Sequence, residues 1–186
     1  MLYLVYHDPG DDDRPVQELA KSVGAVAITI SELKARAAEL GSRDVVVLLM
    51  PMRGGHHAEV EQIARIRGAR FVGRIPPEVT GAAISRAAAS AGCGSVRLHF
   101  WPAERFTEDQ LDDVGRIAAV LTLSGLVVVQ DGCADCTAPL ALLGGRIARE
   151  AEELAEACRS RPLPPLAELA RPELLAWLRS IASAQA

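Results

Sequence analysis

The sequence predicts an α/β fold: a parallel sheet flanked by helices, then a smaller α/β second lobe and a C-terminal helix. Three observations point there. Short apolar runs alternate with helical stretches through residues 1–92, giving four successive β-α units. The run "DVVVLLM" at 44–50 is apolar on both faces, as a central parallel strand must be. The second half repeats the β-α rhythm more loosely, without a clean sequence repeat.

The elements follow in order. "MLYLVY" reads as a strand and "HDPGDDDRP" as a loop, because Pro, Gly and Asp break regular structure. "VQELAKSV" is a short helix with Asp13 as N-cap and Pro15 in its first turn. "AVAITI" is the next strand. Ser31 is expected to cap the helix "ELKARAAEL", which Gly41 closes. After strand 44–50, "AEVEQIARIR" is a helix ending before Gly68, "ARFVGRI" a strand, and "PPEVTGAAISRAAASAG" a helix opened by prolines. Strands at 1–6, 25–30, 44–50 and 70–73 are expected in one parallel sheet; if the first and third are neighbours, the loops that follow them share one rim.

Beyond a boundary near Gly92-Cys93-Gly94, "SVRLHFW" reads as a strand and "TEDQLDDVGRIAAVLTL" as a helix capped by Thr107. "GLVVVQ" is a strand, and "APLALLGGRIAREAEELAEACRS" a long helix weakened by Gly144-Gly145. "RPLPPLAELARP" reads as a proline-rich connector. "ELLAWLRSIA" is a final amphipathic helix with Leu174, Leu175, Leu178 and Ile181 on one side. The expected units are a lobe at 1–92, a smaller lobe at 93–161, and a connector with C-terminal helix at 162–186.

Composition narrows the function classes. The chain has 186 residues, 49% hydrophobic and 24% charged, enough apolar material for a substantial core. A net charge of −4 argues against a nucleic-acid footprint. No apolar run reaches the ~18 residues of a membrane span. The chain starts on a strand pattern with no signal peptide, so a cytoplasmic location is expected. There the four cysteines, Cys93, Cys133, Cys136 and Cys158, are expected to be thiols.

In open parallel sheets ligands bind beyond the carboxyl ends of the strands. His7 follows the first strand, and His56 and His57 follow the third in "LLMPMRGGHHAEVE". Imidazole is the common nitrogen ligand of borderline divalent metals. Glu59 and Glu61 lie one helical turn on and can orient an imidazole, bind metal or accept a proton. A histidine after a strand is more often a loop residue bonded to backbone. What favours a site is that both histidine positions fall at strand ends beside glycine or proline.

These residues resemble class II sirohydrochlorin chelatases, the small cobalt, nickel or iron chelatases of tetrapyrrole biosynthesis. "LYLVYHDPG" is similar to their first strand and histidine loop. Pro51, Gly55, His57 and Glu61 match their Pro, Gly-x-His and acidic spacing after the third strand. "ARFVGRIPPEVTGAAISRA" is similar to their late strand, turn and helix. The likeness covers roughly residues 1–90. Asp8-Pro9 departs from the family's Gly-Ser after the first histidine.

The resemblance implies a lyase that inserts Co²⁺, Ni²⁺ or Fe²⁺ into sirohydrochlorin or a related macrocycle, as in cobalamin biosynthesis. The divalent metal would be a substrate and no organic cofactor would be needed. His7, His57 and Glu61 would be catalytic, with His7 and His57 as metal ligands and His56 as an additional one. Small relatives pair as homodimers and long ones carry two lobes in one chain; this length fits either arrangement. Two alternatives stay open. One is a non-catalytic metal- or tetrapyrrole-binding relative. The other is a thiol redox protein using Cys133 and Cys136, whose Cys-x-x-Cys is expected in a loop before a helix beginning near Pro139. His99, inside a strand pattern, is expected to be a packed or surface residue.

Overall fold

The computed structural model describes residues 1–7, 12–101 and 107–184. Asp8 and Pro9, which set this chain apart from the chelatase pattern, lie outside them. Two four-stranded parallel sheets stand side by side, each flanked by helices.

The first sheet contains β1 (Leu2–Tyr6), β2 (Val26–Thr29), β3 (Val45–Leu48) and β4 (Arg70–Phe71), in the order β2-β1-β3-β4. β1 and β3 are neighbours, paired Leu2 to Val45 through Val5 to Leu48. Alternate residues serve opposite faces, as a strand's period of two requires. Leu2, Leu4, Val45 and Val47 enter the large central core, whereas Tyr3, Val5, Val46 and Leu48 pack with Val60 and Ala64 of α3 (Gly55–Ile66). Both faces are buried, which is why these strands read as unbroken apolar runs.

The second sheet contains β5 (Ser95–His99), β6 (Val127–Val129), β7 (Cys136–Pro139) and β8 (Arg161–Pro162), in the order β6-β5-β7-β8. That is the topology of the first sheet, and the pairings of residues 45–75 recur in residues 136–166 at a constant offset of 91 positions. The backbone bonds fix this equivalence. Leu49 N–H donates to Val5 O at 2.7 Å, and Leu140 N–H to His99 O at 2.8 Å. Ile75 N–H donates to Met50 O, and Leu166 N–H to Ala141 O, both at 2.9 Å. Gly54 precedes α3, and its counterpart Gly145 precedes α6 (Arg146–Cys158). Gly68, after α3, has φ 70°; its counterpart Arg159, after α6, has φ 54° and is the one non-glycine with positive φ among the described residues.

Two helices join the lobes. α4 (Pro77–Ser90) packs on α5 (Thr107–Leu123) at close range. Gly81 permits the approach, since a Cβ there would stand 2.7 Å from the Val120 side chain. The C-terminal α8 (Arg171–Ser183) lies against α4 and α1 (Arg14–Ser22), burying Leu174, Leu178 and Ile181 in the shared core.

Several local expectations change. Thr29, not Ser31, caps α2 (Ile30–Ala35): its hydroxyl accepts from Glu32 N–H at 3.1 Å, and Glu32 returns a bond to Thr29 N–H at 2.7 Å. Ser31 falls inside the helix. Gly41 does not close it; a 3₁₀ turn at Ala37–Glu39 intervenes. Asp13 precedes α1, but its carboxylate takes the buried Tyr6 hydroxyl at 2.6 Å instead of capping. α5 begins at Thr107, whose side chain lies outside the described set.

The larger corrections fall in the second lobe. The stretch expected to open a long helix is strand β7 followed by a loop, and the helix starts at Arg146, not near Pro139. The expected proline-rich connector supplies strand β8 and the short helix α7 (Leu166–Leu169). The cysteines are not thiols. Cys93 bonds Cys136 and Cys133 bonds Cys158, so the two members of Cys-x-x-Cys pair elsewhere. Cys136 is fully buried at the start of β7, while Cys133 is exposed. The partners sit 43 and 25 residues away in sequence, and only the fold brings them together.

Candidate functional site

The carboxyl ends of β1 and β3 face those of β5 and β7 across a cleft of about 540 Å³. Its apolar part comes from the two equivalent loops, including Met50, Met52, Leu140, Leu142 and Leu143. Each loop leaves its central strand, turns at a Gly-Gly or Arg-Gly pair and enters a helix. The first lobe adds His7 and His56 to the lining, and the second adds Trp101, Gln110, Arg146 and Arg149.

His7 and His56 meet edge to face, with ring centroids 5.0 Å apart. His56 Nδ1 lies 3.2 Å from Glu59 Oε2, and Glu59 Oε1 lies 2.7 Å from Lys34 Nζ. The Lys34 bond, against some opposing burial, holds the Glu59 carboxyl below its usual range. An anionic Glu59 favours the tautomer with the proton on Nδ1, leaving the Nε2 lone pair for a metal ion.

His57 is oriented otherwise. Its ring packs edge-on against Phe71 at 5.2 Å, and its side chain is only 19% exposed. Gly73, at φ 37°, leaves room beside it; a Cβ there would stand 3.6 Å from His57 Nε2. Burial pushes the His57 pKa down, assisted by Arg74 and Arg53, with Glu61 opposing from 3.9 Å. His57 is therefore neutral at neutral pH. The imidazole that faces His7 is thus His56, the one without a counterpart in the chelatase motif. Among the described residues no three His, Cys, Asp or Glu side chains gather to hold an ion. His99, at the end of β5, is half-buried with Nε2 3.4 Å from Glu150.

An ion network fixes the geometry of the cleft. Asp113 of α5 is fully buried and accepts from Arg53 N–H at 2.8 Å, Arg53 Nη2 at 2.9 Å and Arg74 Nε at 2.7 Å. Burial pushes the Asp113 carboxyl up, but the Arg74 and Arg53 bonds outweigh it and hold the group below the usual range. Arg53 also reaches Asp109 at 3.0 Å and Asp112 at 2.9 Å. The loop before α3 is thereby tied to the other lobe. Sequence reading missed this network and the Trp101 wall. The network depends on contacts across the lobes and the wall on contacts between the end of β5 and α6, and the only available signal was the shared strand-Gly-helix pattern.

No protein-family model and no curated protein sequence matches the chain. Solved structures do. CbiX, described as the terminal enzyme for biosynthesis of siroheme in denitrifying bacteria, is 17% identical with TM-score 0.65 over 98% of each chain. SirB from Bacillus subtilis with Fe³⁺ is 14% identical with TM-score 0.64, over 98% of this chain and 95% of that one. The likeness extends well beyond residues 1–90 and takes in the second lobe. The chain has a class II chelatase-like fold.

Proposed function

We propose that this chain binds a tetrapyrrole in the interlobe cleft and inserts a divalent metal, Co²⁺, Ni²⁺ or Fe²⁺, into it. The observation that carries the reading is the His7–His56 pair on the edge of an apolar cleft in a chelatase-like fold. Insertion exchanges two pyrrole N–H protons for one M²⁺, so the site must hold an ion loosely, present a ring and accept protons. Two imidazoles meet the first need, because fewer ligands than a closed tetrahedral cage allow release. Loops of Met and Leu meet the second by covering a ring's apolar faces. For the third, the chelatase spacing proposes His57 and Glu61; neither lines the cleft, so Glu59, bonded to the cleft-lining His56, is proposed as acceptor beside them. Both lobes stand in one chain, so a single copy contains the whole cleft.

Absorbance spectra of sirohydrochlorin with Co²⁺ test the reading. The expected result is protein-dependent conversion to the metallated spectrum, slowed about 10–100-fold in His7→Ala and in His56→Ala. Ring binding without conversion for any of the three metals would favour the non-catalytic relative. The redox alternative lacks support, since Cys133 and Cys136 are not bonded to each other.

A further inference from the structure

The structure assigns a carboxylate-binding subsite to the second-lobe wall of the cleft, formed by Arg146 and Arg149 with Trp101 and Glu150 as its support. The assignment rests on the macrocycle reading above and deepens it: the ligand is a planar ring with carboxylates on its rim.

The cleft is lined by three arginines, and they differ in how far they are engaged. Arg53 is spent on Asp109, Asp112 and Asp113. Arg146 is placed but not saturated. Its guanidinium lies 3.4 Å from the Trp101 ring centroid, and its Nε donates to Glu150 Oε1 at 3.0 Å. Among the described residues no acceptor meets its Nη1 or Nη2, and its side chain is 67% exposed. Stacking and one anchored nitrogen fix the plane of the fork, while the two outer nitrogens remain for a ligand. That is the geometry for bidentate capture of a carboxylate. Arg149 stands three residues on, on the same helix face, in the same cleft lining, and among the described residues it has no acidic partner.

The support is built from converging donors. Glu150 accepts from the Trp101 indole N–H, from Arg146 and from His99, whose Nε2 lies at 3.4 Å. One carboxylate thus sets both the ring and the cation stacked on it. The internal duplication makes the contrast plain. Val5 O and His99 O accept equivalent bonds, so His7 corresponds to Trp101 two residues on; His56 corresponds to Ile147. Where one lobe offers imidazoles, the other offers an indole and guanidinium groups. The exposed Arg146–Glu150 pair contributes little stability by itself, so redirecting the fork toward a ligand costs little.

The test uses metal-free rings and the intact chain. Uroporphyrin, whose rim carries carboxylates, is compared with a porphyrin whose rim carries neutral hydroxyphenyl groups, by Soret absorbance and tryptophan quenching. Arg146→Gln with Arg149→Gln is expected to weaken uroporphyrin binding about ten- to hundredfold and leave the neutral ring's binding unchanged. Trp101→Phe should remove most of the quenching, leaving the Trp177 background. In wild type, added salt should weaken uroporphyrin binding and spare the neutral ring, a result that stands even if the double variant folds poorly. Equal binding of uroporphyrin by wild type and variant, or equal loss of both rings, overturns the subsite while the macrocycle reading survives. A wild type that binds neither ring overturns both.

Discussion

The two lobes share one backbone plan and carry different chemistry on it. From β3 to the turn after β4, and from β7 to the turn after β8, the strand pairings and the bonds that Leu49, Arg70, Val72 and Ile75 donate recur 91 residues on, at Leu140, Arg161, Leu163 and Leu166. Yet the first lobe brings His7 and His56 together, whereas the second puts Trp101 and Ile147 in those places. The second lobe alone is cross-linked: Val45 and Arg67 occupy the positions of Cys136 and Cys158. The comparison teaches that backbone topology places a cleft at paired strand ends, and that the side chains following each strand decide what each wall does.

The joint between the lobes should be the most sensitive point. Asp113→Ala leaves Arg53 and Arg74 partly buried without their shared carboxylate, and is expected to cost about 3–5 kcal/mol, read as a lower midpoint in urea. The pH dependence follows from the sign of the shift. A carboxyl held below its unfolded value stabilises the fold above that unfolded pKa of about 3.9 and loses the contribution as pH falls through the folded value. Wild type should therefore lose stability in acid, and Asp113→Ala should flatten that slope. An unchanged slope would mean that the lobes are joined mainly by the α4–α5 packing.

Reduction should separate the lobes next. Opening the Cys133–Cys158 loop by Cys133→Ser with Cys158→Ser is expected to cost about 2–4 kcal/mol, seen as a lower Tm, with a further drop on adding a dithiol that reports Cys93–Cys136. Hydrogen exchange should place the loosening in α6 and β8. Loosening spread evenly over both sheets would show that the lobes do not unfold as distinguishable units.

Histidine substitutions sharpen the functional contrast. His56→Ala is expected to lower Co²⁺ insertion about 10–100-fold with stability nearly unchanged, because the side chain sits on the cleft rim. His57→Ala should affect stability more and insertion less, since its ring is packed on Phe71. If the order of the two activities were reversed, the ligand assignment would pass to His57 and the chelatase spacing would be the better guide. Because burial lowers the His57 pKa, its contribution to stability should fall as pH drops below about 6.5, and His57→Ala should remove that dependence. The smallest effect concerns the left-handed turn after α6. Arg159→Gly, matching Gly68, should stabilise by up to about 1 kcal/mol, measured by thermal unfolding.

How much of this was legible can be judged residue by residue. The first sheet was readable because its strands are buried on both faces, so "LYLVY" and "DVVVLL" are apolar without interruption. The second was harder. β7 reads "CTAP", with a proline at its end, and β8 is two residues long, so neither carries a periodic signal. In "APLALLGG" the leucines line a loop instead of a helix face, because they bury themselves against the cleft and core from irregular backbone. The histidine positions were legible from strand ends alone. Which histidine turns to the cleft was not: His56 and His57 are adjacent, about 100° apart on a helix, and only the direction in which α3 leaves β3 distinguishes them.

The sequence by itself determined the α/β class, one parallel sheet of four strands in the first lobe and the histidines at its strand ends, because apolar periodicity and strand-end glycines act over short distances; the order β2-β1-β3-β4 came only with the fold. Tertiary structure decided the rest: the pairing of four cysteines, the Asp113 joint, the choice of His56, and the indole and guanidinium wall opposite. Each joins side chains dozens of residues apart, which come together only once the strands of a lobe pair or, for Asp113, once the two lobes pack.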